Sequence, residues 1–420
     1  MESSKTREQA AHDIASVLPG RTHDLARLRI LIDDSEPVVT VVGKYNHGKS
    51  SLLNELLGRD AFAVSDWRET VRLSDSVHQG VRWLDAPGLD ADVGTADDRE
   101  ALRAAWLKSD IRLFVHAAKE GELDAKELKL LTELDADRAR TGRQTLFVLS
   151  QVDQVADDAA LRSVGDAIDR QMPGLTLNAV SSVRHRKGLE GGKPLLLEKS
   201  GIPALHAALH AELARVPHAR AHETALLIRE IDAELQLLRA AQQTSLDLLR
   251  CTQRQQRLDF DRGLATVIEK VAGDIDAMLN ALATDHAIVL DSAKDAYMIT
   301  AGKLERAHVQ IAYSRACIEI DAVLTAHGVM GLPTQQQVAA SSSFNSVMIA
   351  VMGVSVKFRK DLRRMFCEAS GRERMQREFT HYYELSADRK ALAAQIADTQ
   401  AAIAASEQAA AAMRLFEARA

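Results

Sequence analysis

The spacing of hydrophobic and polar positions divides the chain into three regions. Residues 1–36 have apolar side chains at helical spacing, broken at Pro19-Gly20, and predict a helical segment. Residues 37–216 alternate β-rich runs with helical segments, a pattern typical of a mainly parallel sheet with flanking helices and right-handed crossovers. The candidate strands are 38–42, 81–84, 111–115, 145–149 and 177–180.

The third region, residues 217–420, has the pattern of long helices. No proline occurs from 218 to 326, and apolar residues recur at intervals of three and four, as in the amphipathic helices of an antiparallel bundle. The alanine-rich stretch from 386 to 420 predicts a further helix with a small apolar face. We therefore expect an N-terminal helical segment (1–36) that packs on a helical stalk (217–420), with an α/β domain (37–216) between them.

Composition and charge narrow the class of protein. Hydrophobic residues make up 46% and charged residues 27%, as in soluble globular proteins, and the net charge of -6 gives no general attraction to nucleic acid. Cys251, Cys317 and Cys367 cannot form a disulfide framework and indicate a reducing compartment. Because the N-terminus has no apolar core and the C-terminus no lipidation box, we expect a cytoplasmic protein.

Residues 43–50 read Gly-Lys-Tyr-Asn-His-Gly-Lys-Ser and match the phosphate-loop pattern G-x-x-x-x-G-K-[ST]. The run lies between a candidate strand and a helical segment, as this loop requires, because its N–H groups and the helix N-terminus face phosphate. Lys49 would hold the β- and γ-phosphates, and the Ser50 hydroxyl would bind Mg²⁺. The side chain of His47 could reach phosphate, although we expect it to face solvent. The nucleotide contacts expected here are Gly43, Asn46, His47, Gly48, Lys49, Ser50 and Ser51.

A second motif, Asp85-Ala86-Pro87-Gly88, has the form D-x-x-G and follows the next candidate strand, 35 residues after Ser50. A carboxylate at this strand end can hold Mg²⁺ through water, and the Gly88 N–H can sense a γ-phosphate. Thr70, in the polar loop between the two motifs, is the candidate switch threonine on Mg²⁺. An ordinary loop threonine is the alternative.

The residues expected to bind the nucleotide base follow the candidate strand 145–149, where the sequence is Ser150-Gln151-Val152-Asp153. In the guanine-specific pattern [NT]-K-x-D the carboxylate accepts two hydrogen bonds that only guanine offers. Asp153 is present, but Ser150 replaces Asn or Thr and Gln151 replaces Lys, so the affinity is expected to be modest. Ser181 and Ser182 are placed to offer a backbone contact to the base. The pattern favours guanine over adenine.

Residues 41–58, with Phe62-Ala63-Val64 and Asp85-Ala86-Pro87-Gly88-Leu89, resemble the GTPase domain of bacterial dynamin-like proteins. The shared features are the Asn in the phosphate loop, the Ser-Leu-Leu-Asn-x-Leu-Leu-Gly helix and the D-x-P-G-L switch, which are also similar to those of Era-like GTPases. The resemblance covers residues 37–216 and implies a P-loop GTPase that hydrolyses GTP to GDP and phosphate with Mg²⁺. Outside that range only the layout, one helix before the domain and a long stalk after it, is similar.

The resemblance also implies how hydrolysis is completed. Leu89 stands where most signalling GTPases place the Gln that orients water, so another group must hold the water. Dynamin-like GTPases dimerise across the nucleotide face, and an Asn at the position of Asn46 can help to coordinate K⁺ in place of an arginine finger. For Asn46, shaping of the loop is the alternative. The residues expected to act in catalysis, with weak turnover outside a homodimer or a pair with a dynamin-like partner, are Lys49, Ser50, Thr70 and Asn46.

Residues 322–356 contain no charged side chain over 35 positions. Their apolar core of about 13 residues is too short to span a bilayer and is followed by a basic cluster. Such a segment fits an anionic membrane surface, and the dynamin-like family has a hydrophobic tip at this point of the stalk. A buried contact inside the bundle is the alternative. The membrane contacts expected within a tip at about 328–364 are Phe344, Val347, Met348, Val351, Lys357, Arg359 and Lys360.

The sequence therefore favours a dynamin-like GTPase whose nucleotide-dependent dimerisation is coupled to membrane binding or remodelling, at the inner face of the cell membrane. One alternative is an Era-like GTPase that acts on RNA or the ribosome, against which stand the charge of -6 and the lack of a recognisable RNA-binding module. A GTP-switched scaffold without membrane contact is the other. We expect no specific nucleic acid as a partner.

Overall fold

The computed structural model describes residues 2–62, 74–86, 106–282, 284–289, 292, 295, 297–333, 336, 337 and 345–418. The chain forms two compact units. The first comprises Met1–Leu238 with Ala405–Ala420, and the second comprises Arg239–Ala404.

The first unit is an α/β domain with helices from both ends of the chain. Its elements are α1 (Glu2–Val17), α2 (Thr22–Asp33), β1 (Val38–Gly43), α3 (Lys49–Leu57), β2 (Ser74–His78), β3 (Val81–Asp85), β4 (Ile111–Ala117), α4 (Ala125–Thr141), β5 (Gln144–Ser150), α5 (Asp158–Gln171), β6 (Leu177–Ala179), α6 (Ser182–Glu190), α7 (Pro194–Glu198), α8 (Ile202–Leu213) and the start of α9 (Val216–Ala281).

The sheet has six strands in the order β2-β3-β1-β4-β5-β6. Neighbouring strands are parallel from β3 to β6, and only the edge pair β2–β3 is antiparallel. All five candidate strands are present, which confirms the mainly parallel sheet. Strand β2 was not predicted because its sequence, Ser-Asp-Ser-Val-His, lacks the apolar residues of a buried strand.

The central strands are buried on both faces. All six residues of β1 and all seven of β4 are buried, as expected for strands covered by helices on either side. On one face, Val39 and Val41 pack against α3 and α8 through Leu52 and Leu205. On the other, Val42 and Phe114 lie in a cluster with residues of α4 and α5. This core holds the strand ends in place, and the loops that follow β1 and β5 carry the predicted site.

Helices α1 and α2 pack on two later helices. Ile14 and Leu28 lie in one hydrophobic cluster with Ile231 of α9 and Phe416 of α14 (Ala387–Glu417). The break between α1 and α2 at Pro19-Gly20 is a short 3-10 turn, where the sequence predicted an interruption.

The second unit is all helical. It contains the rest of α9, α10 (Ala301–Ala326), α11 (Val347–Met352), α12 (Arg359–Leu362), a π-helical turn (Arg363–Cys367), α13 (Ala369–Glu384) and the start of α14. Helices α9 and α10 are antiparallel, since Phe260 contacts His327 while Lys270 pairs with Glu319 at 2.7 Å. Phe260 also stacks on Tyr383 of α13. The fold class, a P-loop type α/β domain with a long helical region, agrees with the sequence-based expectation.

The predicted apolar tip lies inside this unit. Val347, Met348 and Val351 are 1%, 8% and 6% exposed and belong to the core that α9, α10 and α13 share. The Tyr313 hydroxyl of α10 donates to the carbonyl of Gly353 at 2.7 Å and fixes the end of α11. In this arrangement the three apolar side chains cannot contact lipid, so the buried alternative is correct for them. Phe344 lies outside the described residues.

The basic part of the predicted tip remains at the surface. Lys357 and Lys360 are exposed. Arg359 is half-buried, pairs with Glu305 of α10 and donates to the carbonyl of Thr284 at 3.1 Å. The basic cluster is thus attached to the connection between α9 and α10.

That connection, residues 284–300 (the α9–α10 loop), presents apolar side chains to solvent. Tyr297 is 102% exposed and Ile299 80%, and Ile288, Val289 and Met298 are each more than 60% exposed. The base of the loop is fixed, because the Glu305 carboxylate accepts from the His286 N–H at 2.7 Å and Arg306 donates to the carbonyl of Ala287 at 3.1 Å. An exposed apolar patch of this kind is typical of an interaction surface.

Two further sequence expectations can be compared with the fold. Cys251, Cys317 and Cys367 are free thiols, as expected. None of the described helices has an apolar run long enough to cross a bilayer.

Candidate functional site

The phosphate loop connects β1 to α3, as its sequence pattern predicts. Gly43 has a φ of 154°, and a Cβ at this position would lie 2.2 Å from the carbonyl oxygen of Val115 on β4, so only glycine fits. Gly48 (φ 80°) precedes the first residue of α3, and Asn46 also has a positive φ, of 57°. These left-handed residues bend the chain so that the loop closes around the N-terminus of α3, where Ser50 and Ser51 lie in the first turn.

Ser50 and Asp85 are brought together across the sheet. The Ser50 hydroxyl donates to Oδ2 of Asp85 at 2.6 Å, and Lys49 donates to the carbonyl of Lys44 at 2.8 Å. Burial raises the pKa of Asp85 above its ordinary value, although the Ser50 hydrogen bond and the Lys49 charge oppose this shift. A cation beside this carboxylate would favour its ionised form.

The arrangement fits Mg²⁺. The second carboxylate oxygen of Asp85 is buried and has no hydrogen-bond partner among the described residues, and the neighbouring Ser50 oxygen is a hard ligand of the kind that Mg²⁺ prefers. Mg²⁺ bound here would neutralise charge on the β- and γ-phosphates. Ser50 and Asp85 are the described residues that would hold it, and Lys49 would add a positive charge on the phosphate side. Thr70 and Gly88 lie outside the described residues.

The predicted base-binding residues meet at the ends of β5 and β6. Gln151 has a positive φ of 56° and its amide donates to the carbonyl of Asn46 at 2.6 Å, so it reaches over the phosphate loop. Asp153 accepts a hydrogen bond from Ser181 at 2.5 Å, which orients the carboxylate. Ser181 also caps α6, whose first residue is Ser182. The sequence-predicted base residues are therefore neighbours in the fold.

Ser150 replaces the Asn or Thr of the guanine-specific pattern and contributes a connection of its own. Its buried hydroxyl lies 2.6 Å from the carbonyl oxygen of His47 and 3.1 Å from that of His116, and it can donate a hydrogen bond to either. The hydroxyl therefore ties the end of β5 to the phosphate loop.

The prediction that His47 faces solvent is wrong. Its side chain is 2% exposed and points into the domain, where Nδ1 lies 3.3 Å from the carbonyl of Val115. The prediction that this side chain contacts phosphate is also wrong, because the ring points toward β4. Burial is the main cause that lowers the pKa of His47, which favours the neutral ring.

A charged cluster that sequence reasoning missed lies beneath the loop. His116 of β4 approaches Glu127 of α4 at 2.9 Å, and its other nitrogen lies 3.1 Å from the carbonyl of Gly121. Lys44 of the phosphate loop pairs with Glu127 at 3.2 Å and with Asp124 at 2.8 Å. Burial alone would raise the pKa of Glu127, but His116 and Lys44 hold it below its ordinary value.

His47, His116 and Glu127 offer ligand atoms within 4.8 Å of one another, the spacing of a possible metal site. The Lys44 ammonium already neutralises Glu127 there, and a divalent cation would be repelled by it. We therefore interpret the cluster as the support of the phosphate loop. The pair Asp124 and Glu127 forms a capping box at the start of α4, and this D-x-x-E spacing was the available sequence signal.

Comparisons with known proteins agree with this site. The model of the family described as "50S ribosome-binding GTPase" matches residues 38–151. GTPase Der of Desulforamulus reducens is 34% identical over 118 residues, which cover 26% of this chain and 24% of that protein. The chain thus spans about a quarter of the length of this relative.

A solved structure of an oligomerised bacterial dynamin pair is similar over 99% of this chain and 76% of that one, with 12% identity and a TM-score of 0.37.

The uncharacterized protein ACIAD1443 of Acinetobacter baylyi is 48% identical over 393 residues, which cover 93% of this chain and 94% of that protein. With the phosphate loop between β1 and α3 and the GTPase family model matched over residues 38–151, the chain has a GTPase domain that hydrolyses GTP. It belongs to the same family as the Acinetobacter protein.

Proposed function

We propose that the protein is a dynamin-like GTPase that couples GTP binding and hydrolysis to dimerisation and to attachment at a membrane. The observation that carries the membrane part is the exposed apolar surface of the α9–α10 loop, beside the basic residues Lys357 and Lys360.

The nucleotide part of the proposal assigns roles to residues of the first unit. Lys49 neutralises the β- and γ-phosphates, while Ser50 and Asp85 hold Mg²⁺. Asp153, oriented by the Ser181 hydroxyl, accepts from the guanine edge. Gln151 holds the phosphate loop closed through its bond to the carbonyl of Asn46. Because Leu89 stands where most signalling GTPases place the Gln that orients water, hydrolysis is completed by a second copy of the chain or by a dynamin-like partner.

The proposed membrane contact lies on the α9–α10 loop and not on α11, where the sequence suggested it. Tyr297, Met298 and Ile299 project from a loop whose base is fixed by Glu305 and Arg306, so their exposure is a property of the folded unit. Apolar side chains next to cations bind anionic bilayers by combining burial with electrostatic attraction. This surface retains the two features, an apolar patch and a basic cluster, that the sequence suggested for residues 344–364.

The proposal is tested with two variants of the full-length chain. Tyr297→Asp with Ile299→Asp places two negative charges on the loop, and Ile318→Asp places one negative charge on an exposed isoleucine of α10 (68% exposed). We expect the loop variant to lose sedimentation with anionic liposomes and any liposome stimulation of GTP hydrolysis, while the Ile318 variant keeps both. Circular dichroism checks that each variant is folded. Unchanged sedimentation of the folded loop variant would contradict membrane attachment through this loop.

A second candidate function is action on the ribosome or RNA. It is favoured by the description of the matching family model and by the GTPase Der relative, which share the GTPase domain with this chain. In the same hydrolysis assay, stimulation by ribosomes in place of liposomes would support this candidate. Stimulation by neither would favour a scaffold that binds protein through the helical region.

A further inference from the structure

A cavity of about 290 Å³ lies in the first unit, bordered by α2, β4, α4 and α9. The start of β4 and the end of α4 line the cavity, whereas the phosphate loop follows the end of β1. The cavity is therefore distinct from the nucleotide site. Its volume is at the lower end of the range typical of small-molecule sites, about 300–1,000 Å³. The wall is partly apolar, with Trp106, Leu107, Leu134 and Leu227.

The cavity is rich in arginine. Arg27, Arg112 and Arg143 line it deep in the unit, and Arg140 lies at its edge with a side chain 43% exposed. Asp137 is shared by Arg112 and Arg143, and Glu223 is shared by Arg27 and Arg143. Asp110, the further partner of Arg27, is shared with Arg220. Among the described residues that line the cavity, four arginines face three carboxylates, Asp24, Asp137 and Glu223, and Arg140 also pairs with Glu230 at 2.5 Å.

Hydrogen bonds in the cavity are also incomplete. Arg112 is 1% exposed, and only its Nη2 is paired, with Asp137. Its Nε and Nη1 are buried without a partner among the described residues, as is the indole Nε1 of Trp106. Buried donors without acceptors cost free energy, and a buried guanidinium with two free donors is a ready partner for an oxyanion.

Arg143 lies close to a second buried arginine. Burial, followed by repulsion from Arg112, lowers the pKa of Arg143 to about 10. An anion between these two arginines would relieve the repulsion and raise this pKa.

From the cavity, its four arginines and the unpaired donors of Arg112 and Trp106, we propose a second ligand site. It takes a small molecule that carries a phosphate or carboxylate group, held by Arg112 with Arg143 and Arg140. The apolar wall contacts the remainder of the molecule. Because α2 and α9 both line the site, a bound ligand would link these helices to the α/β core, and it would do so independently of nucleotide.

The test measures thermal unfolding of the full-length protein saturated with a non-hydrolysable GTP analogue and Mg²⁺, so that the γ-phosphate position is filled and added phosphate does not report on the phosphate loop. Inorganic phosphate and succinate are titrated separately. We expect one of them to raise Tm by roughly 3 °C, with saturation at low concentration. A shift with phosphate alone identifies a phosphate-bearing ligand, and a shift with succinate alone identifies a carboxylate. A linear rise without saturation is the general effect of excluded salts and would count against a site.

Three variants localise the effect. Arg112→Gln should abolish the saturable shift, and Arg140→Gln, at the edge, should weaken the apparent affinity several-fold. Arg138→Gln is the matched control, since this exposed arginine of α4 pairs with Asp135 and does not line the cavity. If Arg112→Gln does not fold, the Tm shifts of Arg140→Gln and Arg138→Gln are compared, and a weaker shift in the Arg140 variant supports the site. No saturable shift in the unmodified protein, or equal shifts in the Arg140 and Arg138 variants, would overturn the proposal.

Discussion

Glu127 illustrates how one buried side chain supports the nucleotide site. It is fully buried, contacts His116 and Lys44, and its pKa lies below the ordinary value of a glutamate. A carboxylate with a lowered pKa in the folded state stabilises the fold above its unfolded pKa, and this stabilisation is lost as the pH falls through the folded pKa. The His47 pKa is lowered by burial, so protonation of this ring below about pH 6.5 also opposes folding.

We therefore predict that Glu127→Gln lowers the stability of the first unit at pH 7 by about 3 kcal/mol, because it removes the buried carboxylate that pairs with the Lys44 ammonium. The difference from the unmodified protein should begin to shrink below about pH 4.5, where glutamate in the unfolded chain becomes protonated, and should disappear only below the lower pKa of folded Glu127. Urea denaturation at pH 7 and pH 4 measures both effects. The control is Glu122→Gln, an exposed glutamate before α4. An equal loss of stability at both pH values would refute the role of ionised Glu127.

Asn46 is exposed in the phosphate loop, and its carbonyl is held by Gln151 while its side chain faces outward. If this side chain helps to hold K⁺ in a dimer, GTP turnover should be faster in potassium than in sodium. Asn46→Ala should then remove the difference with a loss of at least about tenfold, or ~1.4 kcal/mol of transition-state stabilisation. Turnover is measured at protein concentrations that allow dimerisation, with choline chloride as the control for ionic strength. Equal turnover of the unmodified protein in both salts would exclude the cation.

The residues that could be predicted are those of local motifs. The phosphate loop, Asp85 and Asp153 are recognised from spacing along the chain, and the fold places them as expected. Lys44 and His116 occupy positions where the pattern admits any residue, and their role arises only when β4 and α4 meet beneath the loop. Asp124 and Glu127 gave a signal for a helix start but none for an ion pair with the loop.

At the scale of elements, the apolar run of α11 shows the limit of periodicity. A short apolar stretch followed by cations has the same pattern whether it enters a bilayer or a bundle. Here Val347 and Val351 are buried because Tyr313, Phe379 and their neighbours provide an apolar pocket for them. The α9–α10 loop was not recognised because its apolar residues form two runs of only four, 287–290 and 296–299, with polar and charged residues between them.

This difference leads to a prediction about two elements. Met348→Asp with Val351→Asp should unfold the second unit or lower its stability by more than about 3 kcal/mol, because both charges would be buried without partners. Tyr297→Asp with Ile299→Asp should change stability by less than about 1 kcal/mol, since these side chains are exposed. Chemical denaturation followed by circular dichroism compares the two. A mild effect of the Met348 and Val351 variant would mean that α11 is not part of the core.

At the scale of the whole molecule, layout was easier to predict than packing. The sequence predicted an α/β domain between helical segments because strand and helix periods differ strongly. It did not predict that the C-terminal part of α14 joins the first unit, where Phe416 packs with Ile14 and Ile231. The sequence of an alanine-rich helix does not indicate which helices it packs against, because such packing depends on the shapes of the two helix surfaces.

The capping box of α4 has a consequence for amide exchange. The carboxylate of Glu127 that neutralises Lys44 also accepts from the N–H of Asp124 at 3.2 Å, while Asp124 accepts from the N–H of Glu127 at 2.8 Å. Opening the first turn of α4 therefore releases the phosphate loop, and closing the loop on a nucleotide protects that turn. Hydrogen exchange at the start of α4 then reports the occupancy of a site that lies on another element of the fold.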